Sequence, residues 1–135
     1  MIIAAVTGDG EDLAVQGAMM ISTEAVPSIL EPGKECLFVE LLFTAPRNRP
    51  DLRLDANPFV IGVGSQLLTW GAWLSRENHL EGRLRLDGSP DFIVWYGKRG
   101  LQTLDIDPIV YEGVEYTPME LPAVAAQELL AAWGD

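Results

Sequence analysis

Asp105 and Asp107 come closest, in this sequence, to a pair of catalytic carboxylates. Side chains two positions apart on a strand point to the same face, so the two carboxylates can share a proton-transfer task or bind a cation. Two solvated acids on a rim strand, just ahead of Pro108, are the commoner arrangement. The sequence leaves both interpretations open and favours the solvated one.

Cys36 and His79 are the single cysteine and the single histidine, and together they suggest a nucleophile and its base. Cys36, however, opens an apolar segment and His79 ends a polar one, so we expect a core thiol and a solvated imidazole. No third group that would orient the imidazole is indicated. A lone cysteine forms no internal disulfide, and no export signal is evident at the N-terminus, which together favour a cytoplasmic location.

The loops contain no complete ligand-binding motif. Residues 8–12 resemble a fragment of a calcium-binding loop but lack the remaining ligands. Gly62 and Gly64 are followed by neither the third glycine nor the Lys-Ser/Thr pair of a phosphate-binding loop. We therefore predict no catalytic, cofactor-binding or metal-binding residues, and the sequence favours a protein that is not an enzyme.

The charge of the chain is strongly negative and unevenly distributed. Its 135 residues carry 20 acidic and 9 basic side chains, a net charge of -11. Residues 1–33 and 100–135 contain acids and no base, so all the bases lie between them. Such a surface repels nucleic acids and anionic membranes and accelerates encounters with basic proteins. We therefore expect a basic protein partner, although acidity that only maintains solubility explains the charge equally well.

Six residues are candidates for contact with that partner. The acidic members would supply charge complementarity, and the tryptophans would supply the large apolar anchors that often dominate binding. The six residues are Asp105, Asp107, Glu112, Glu115, Trp73 and Trp95. An arginine-containing loop, Arg47–Arg53, is a competing surface, and the sequence does not decide between the two.

The spacing of turn residues predicts a strand-rich chain. Apolar segments are short and are interrupted about every ten residues. Residues 36–44 are apolar at nearly every position, which predicts a central strand buried on both faces. A buried strand is also predicted at residues 1–8 and a further strand at 14–22, with a single turn over 23–30.

The segment 59–74 is predicted to form a hairpin that turns near residues 64–66, because Gly62, Gly64 and Gly71 disfavour a helix. Further strands are predicted wherever short apolar runs lie between turn residues. They cover residues 80–86, 92–96, 101–106, 108–111 and 114–116. Because the loops between the predicted strands are too short for helical crossovers, we expect a mostly antiparallel sheet.

One helix is predicted near the C-terminus. Thr117 and Glu120 have the spacing of a capping box, and apolar residues recur at helical spacing as far as Trp133. The predicted helix covers about 118–133, and Pro122 moves its start toward Leu121.

Residues 29–73 resemble part of the C-terminal β-barrel of elongation factor Tu. A Pro-Gly turn at residues 32–33 precedes a long strand and then Pro46, as in that family. A Phe-x-Ile-x-x-Gly pattern starts at Phe59, and Gly71 follows seven positions after its glycine. The resemblance implies a small antiparallel barrel or sandwich, and it carries no activity because turn and core residues specify geometry.

The sequence thus predicts one domain over residues 1–135, β-rich over 1–116. The predicted fold class is mainly β, α+β at the margin: a small antiparallel β-barrel or sandwich with a C-terminal helix. The preferred function is an acidic inhibitor of a basic partner, such as a bacterial toxin-immunity protein. The alternatives are a ligand-binding or catalytic β-barrel and an accessory domain related to translation-factor barrels.

Overall fold

The computed structural model describes residues 1–7, 14–44 and 62–133. The strands in these ranges are β1 (Ile2–Thr7), β2 (Ala14–Ile21), β3 (Val26–Pro27), β4 (Glu35–Thr44), β5 (Leu84–Gly88), β6 (Gln102–Thr103), β7 (Ile109–Tyr111) and β8 (Val114–Leu121). The helices are α1 (Val63–Glu77), α2 (Ile93–Gly97) and α3 (Ala123–Trp133). None of these helices has both the length and the apolar character needed to cross a membrane.

The strands form a mixed sheet in the order β1-β2-β4-β5-β8-β6, with β3 beside β4 and β7 beside β8. The β4–β5 pair is parallel, whereas the other pairs in the described ranges are antiparallel. Helix α1 connects the two parallel strands, because it lies between them in the chain and packs on both. A parallel pair requires such a crossover connection.

The predicted barrel or sandwich is wrong, because the sheet is open. Its order begins at β1 and ends at β6, and these two strands do not pair with each other. The connection from residue 44 to residue 84 is long enough for a parallel crossover. The prediction that all loops are too short for such a crossover is therefore wrong. Helices α1 and α2 cover one face of the sheet, over Leu84 and Gly88 of β5 respectively.

Helix α1 replaces the predicted hairpin over the described part of segment 59–74. Its buried residues follow helical spacing: Val63, Gly64, Leu67, Leu68, Thr69, Gly71, Ala72 and Ser75. A Cβ at Gly71 would lie 3.3 Å from Met19 Cε and 3.4 Å from Leu84 Cδ1. Gly71 therefore serves close packing of the helix on the sheet rather than breaking the helix.

The segment after β5 is also helical where strands were predicted. Residues 92–96 form the end of a 3-10 turn, Pro90–Phe92, and most of α2. Proline favours the first helical turn, and Pro90 occupies that position. The predicted strand 101–106 is reduced to Gln102–Thr103.

The C-terminal prediction is correct about the helix and wrong about its start. Thr117 and Glu120 lie in β8, so they cap nothing, and α3 begins only at Ala123. Residues 117–121 each pair with a residue of β5. These ladder hydrogen bonds outweigh the local capping pattern, and Pro122 separates the strand from the helix.

The strands predicted at 1–8, 14–22 and 36–44 are confirmed as β1, β2 and β4. Their predicted burial is only partly correct. Leu41 and Phe43 remain 51% and 44% exposed on β4. Ile2 is 69% exposed on β1, because that strand lies at the edge of the sheet.

Candidate functional site

The parallel strands β4 and β5 and the crossover helix α1 form a β-α-β unit. In such units, ligands bind outside the carboxyl ends of the strands, where the helix also begins. For this chain that end is defined by Thr44 of β4 and Gly88 of β5. The candidate site is built around it.

Strands β4 and β5 pair over only two positions, Leu37 with Leu84 and Phe38 with Arg85. Beyond them, β4 continues for six residues and β5 for three without pairing with each other. We call the interval between residues 39–44 and 86–88 the β4–β5 opening. Peptide groups that face this opening have no partner on the opposite strand.

A β-bulge in β4 explains why the pairing ends there. Ile21 of β2 pairs with Val39, but the preceding Met20 pairs with Leu41, so Glu40 is an extra residue on β4. A bulge bends its strand and increases the local twist. The bend occurs just after the last β4–β5 pair, and it therefore creates the opening.

The N-terminus of α1 lies at the same end of the sheet. A Cβ built on Gly17 would lie 2.8 Å from Val63 Cγ1 and 2.7 Å from the Phe43 carbonyl oxygen, so the start of the helix adjoins the end of β4. Gly62, the N-cap, has a φ of 81° and has no side chain with which to cap the helix. The first turn contains no acidic residue. Its N–H groups therefore point toward an end of the sheet that suits an anion.

Tyr96 of α2 covers the carboxyl end of β5. A Cβ at Gly88 would lie 3.4 Å from Tyr96 Cδ2, an ordinary contact distance, and 3.0 Å from Met119 Sδ, so the ring lies directly over this glycine. The ring also makes an edge contact with Trp95, with the centroids 5.3 Å apart. Burial raises the pKa of the Tyr96 hydroxyl, which is therefore protonated at neutral pH and can donate a proton.

Arg99 links α2 to the first turn of α1. Its Nε donates a hydrogen bond to Ser65 Oγ at 2.8 Å, and its Nη1 donates to the Trp95 carbonyl oxygen at 2.9 Å. The guanidinium carbon lies 3.7 Å from the centroid of the Trp95 ring. Burial lowers the pKa of Arg99, yet arginine remains protonated at neutral pH. A fixed positive charge thus stands beside the helix N-terminus.

On the opposite face of the sheet, a buried polar network attaches the loop after β3. Glu120 accepts hydrogen bonds from Ser28 Oγ and from the Ile29 amide. Burial and the neighbouring Glu120 charge raise the pKa of the Cys36 thiol to about 12. Cys36 is therefore an inert core thiol, as predicted, and His79 lies in an exposed turn at a φ of 64°.

A second group of buried polar contacts, centred on Arg83, lies nearby. Arg83, whose side chain is 4% exposed, donates a hydrogen bond from Nε to Glu31 Oε2 at 2.9 Å. Glu31 Oε1 accepts from the Ala123 amide at 3.1 Å, which fixes the start of α3. Hydrogen bonding to Arg83 lowers the pKa of Glu31. These groups stabilise the fold and are not part of the β4–β5 opening.

The six predicted partner-contact residues lie on three separate parts of the chain. Asp105 and Asp107 precede β7, Glu112 lies in the turn between β7 and β8, Glu115 lies on β8, Trp73 lies on α1 and Trp95 lies on α2. No described hydrogen bond, ion pair or ring contact joins the carboxylates to either tryptophan. Trp73 contacts Trp70 instead, at 5.5 Å between centroids. The competing Arg47–Arg53 loop lies outside the described residues.

Sequence reasoning did not identify Tyr96, Arg99 or the start of α1. Gly62 and Gly64 were compared with phosphate-loop motifs and then assigned to a hairpin. A usable signal was present, because Gly62 precedes, and Gly64 belongs to, a helix-spaced run of small and apolar residues. Within the described ranges, no group of three or more His, Cys, Asp and Glu side chains is arranged to hold a metal ion.

No protein-family model matches the sequence, and no curated protein is significantly similar to it. Several solved structures share its fold, among them the following three. A structure described as a bacterial toxin aligns with a TM-score of 0.60 and 18% identity, over 89% of this chain and 65% of the other. An acyl-CoA N-acyltransferase from Pseudomonas aeruginosa aligns with a TM-score of 0.53 and 11% identity, over 80% and 61%. A structure described as histone acetyltransferase HPA2 and related acetyltransferase, from Corynebacterium glutamicum, aligns with a TM-score of 0.53 and 14% identity, over 84% and 60%.

These similarities correct the family resemblance and the functions predicted from the sequence. The resemblance to the elongation factor Tu barrel is wrong, since the fold is that of N-acyltransferases. The assignment as a toxin-immunity inhibitor is wrong, as are its barrel-based alternatives, because the fold neighbours are acyltransferases and a toxin. The chain spans about three fifths of the length of these solved structures, so its similarity to them is a statement about the fold.

Proposed function

We propose that this protein binds an acyl-CoA thioester at the β4–β5 opening and transfers the acyl group to an amine. The observation that carries the proposal is the loss of β4–β5 pairing at the end of the sheet where α1 begins. Two neighbours with this fold are described as an acyl-CoA N-acyltransferase and an acetyltransferase, which supports the choice of substrate.

The groups at the opening fit the two chemical halves of such a molecule. CoA carries phosphates, and the N-terminus of α1 offers amide donors beside the Arg99 guanidinium without a competing acid in the first turn. CoA also has an extended arm with amide groups. The unpaired peptide groups of residues 39–44 and 86–88 can hydrogen-bond to these amides as a strand would.

The chemistry requires few side chains. The thioester supplies a reactive carbonyl: a C–N bond to the neutral amine forms and the C–S bond breaks. The departing sulfur takes up one proton from the protein, and the nitrogen releases one proton, which restores the donor by way of water. Tyr96 is protonated at neutral pH and lies over the end of β5, so we assign it as the proton donor. The opening itself positions the reacting groups, which is a large part of catalysis in acyl transfer.

We place this activity in the cytoplasm. The support is the single cysteine, Cys36, which is a buried free thiol with no disulfide partner. Proteins of oxidising compartments commonly contain paired cysteines, and proteins of the cytoplasm keep their thiols reduced.

Binding of acetyl-CoA tests the proposal directly by isothermal titration calorimetry. We expect wild-type protein to bind with a Kd in the micromolar range, and Arg99→Gln to bind at least about tenfold more weakly because one charge-assisted phosphate contact is lost. Arg76→Gln is the matched control: it removes a charge from the last turn of the same helix, away from the opening. We expect the control to bind as the wild type does.

Two outcomes would overturn the proposal. One is the absence of any heat or thermal shift with acetyl-CoA, with longer acyl-CoA or with CoA itself. The other is equal weakening in Arg99→Gln and Arg76→Gln, which would indicate a general response to charge rather than a site at the start of α1.

A further inference from the structure

The hairpin that β7 forms with the first residues of β8 is highly exposed. We call residues 105–116 the acidic arm. Every residue from 105 to 115 is exposed, and Val110 and Tyr111 are 68% and 64% exposed. The two-residue turn has positive φ angles at Glu112 and Gly113, and a Cβ at Gly113 would meet nothing within 4 Å. In the described part of the chain, β7 pairs with β8 and with no other strand.

One face of the acidic arm is apolar and aromatic. Ile109 pairs with Tyr116, and Tyr111 pairs with Val114, so these four side chains share a face. Tyr111 and Tyr116 are diagonal neighbours on that face, within reach of a common ligand. A two-stranded hairpin with an uncovered apolar face is only marginally stable in water. This face is therefore suited to being covered by another molecule.

The charged residues of the arm all have the same sign. Asp105, Asp107, Glu112 and Glu115 are exposed, and none of them makes an ion pair within the described ranges. No lysine or arginine occurs anywhere in residues 100–135. Tyr111 is exposed and Tyr116 is half-buried on one face, Glu112 lies in the turn beside Tyr111, and Glu115 lies with Val110 on the other face. Carboxylates and a tyrosine ring on one arm can bind lysine and arginine side chains by ion pairing and by cation–π contact.

The position of the arm connects it with the proposed active site. Thr117 of β8 pairs with Gly88 of β5, so the hairpin extends beyond the carboxyl end of β5. This is the end at which the β4–β5 opening lies and where Tyr96 covers Gly88. A molecule held by the acidic arm is thus adjacent to the place where the acyl group would be transferred.

We propose that the acidic arm docks a lysine- or arginine-rich polypeptide segment and that an amine of this polypeptide accepts the acyl group. The identity of the acceptor rests on the proposed function, whereas the docking does not. A polypeptide fits better than a small amine for two reasons. The carboxylates lie before β7, in the turn after it and on β8, so they are spread over at least the roughly 10 Å that the three residues of β7 span at 3.3 Å per residue, and apolar side chains lie between them.

The test uses a synthetic peptide of about a dozen residues that alternates lysine with isoleucine, with a glutamine-for-lysine peptide as its control. Fluorescence anisotropy measures binding by the full chain at low and at high salt. We expect the lysine peptide to bind more tightly at low salt and the glutamine peptide to bind at least about tenfold more weakly. Spermine, a small polyamine, is included as a competitor.

The decisive variant is the double substitution Glu112→Lys/Glu115→Lys, which reverses two charges on the arm. The matched control, Glu77→Lys/Glu128→Lys, makes the same change in net charge at exposed positions on α1 and α3. We expect the arm variant to bind the lysine peptide at least about tenfold more weakly and the control to change by less than about threefold. All four positions are exposed, so circular dichroism should show a native fold in both variants.

The outcomes separate this proposal from the proposed function. If the arm variant bound the peptide as tightly as the control did, the docking surface would be wrong, whatever the result with acetyl-CoA. If spermine displaced the peptide at similar concentrations and was acylated equally well, the polypeptide assignment would be overturned. If the peptide bound to the arm but acetyl-CoA did not bind, the docking would stand and the proposed function would fail.

Discussion

At the scale of single residues, the Tyr96 hydroxyl is the group on which the proposed chemistry depends most. Tyr96→Phe retains the ring that packs on Gly88 and Trp95, and removes only the proton donor. We expect the rate constant of acyl transfer to fall about a hundredfold. The affinity for acetyl-CoA should remain within about twofold of the wild type, because the start of α1 and Arg99 are untouched.

A pH profile distinguishes this role from a structural one. Because burial raises the pKa of Tyr96, the wild-type rate should decline only at alkaline pH, above the usual value near 10 for tyrosine. The phenylalanine variant should lack this decline. A variant rate within about threefold of the wild type would show that another group, or water, supplies the proton.

At the scale of elements, the junction of β2, β4 and α1 determines whether the opening exists. Gly17 lies at this junction, where a Cβ would be 2.7 Å from the Phe43 carbonyl oxygen and 2.8 Å from Val63 Cγ1. Gly17→Ala should therefore lower the free energy of unfolding by roughly 1–3 kcal/mol, since backbone and helix must shift to make room. It should also weaken acetyl-CoA binding, because Val63 begins α1.

Gly97→Ala is the control for that substitution. A Cβ at Gly97 would meet nothing within 4 Å, and the residue lies in α2. Alanine has the higher helix propensity, so this variant should be more stable by roughly 0.5–1 kcal/mol. Urea denaturation measures the free energy of unfolding of both variants. If the decrease in Gly17→Ala were no larger in size than the increase in Gly97→Ala, the close approach at Gly17 would be disproved.

The same elements show what local sequence can predict. Strands β1, β2 and β4 follow from β-forming residues between turns, and those predictions are confirmed. Helix α1 was missed because its glycines were counted as helix breakers. A glycine is found at position 71 because the helix packs closely on Met19 and Leu84 there. Both residues are distant in sequence, so local sequence patterns do not reveal these contacts.

The β4–β5 opening was also beyond local prediction. It depends on a parallel pairing across a connection from residue 44 to residue 84, and on a bulge at Glu40 that only the register against β2 reveals. Its ligand-facing groups are peptide N–H and C=O groups together with a helix N-terminus. Because these are backbone groups, no pattern of side chains in the sequence marks them, and a search for catalytic side chains does not detect the opening.

At the scale of the whole molecule, the net charge of -11 affects association and stability rather than the choice of fold. This charge favoured the prediction of an inhibitor, and the fold shows that prediction to be wrong. The expectation of a basic partner is a separate matter, since an enzyme that acylates a basic polypeptide also benefits from an acidic surface. A basic partner therefore stays a prediction from charge, and charge carries no information about the chemistry.

The excess of acidic residues also makes stability depend on pH. Whether a given group raises or lowers stability as the pH falls depends on the direction of its pKa shift. Burial raises the pKa of Asp87 in the folded state, so its protonation favours folding and its contribution is lost as pH rises through that pKa. The pKa of Glu31 is lowered by Arg83, so its contribution is present above the unfolded pKa and is lost as pH falls through the folded value.

These signs predict a maximum of stability at mildly acidic pH. As the pH falls from 7 toward the range in which carboxylates titrate, in low salt, the melting temperature should rise, because repulsion among the acids weakens and protonation of Asp87 favours folding. High salt should reduce this rise by screening the repulsion. Below about pH 4 stability should fall as Glu31 is protonated and the buried Arg83 loses one of its two carboxylate partners, with Glu81 remaining. Glu31→Gln should be less stable than wild type at pH 7 and should approach it at low pH. If the difference in unfolding free energy between the two proteins stayed constant from pH 7 to 3, the Glu31–Arg83 pair would not be what sets the acid limit.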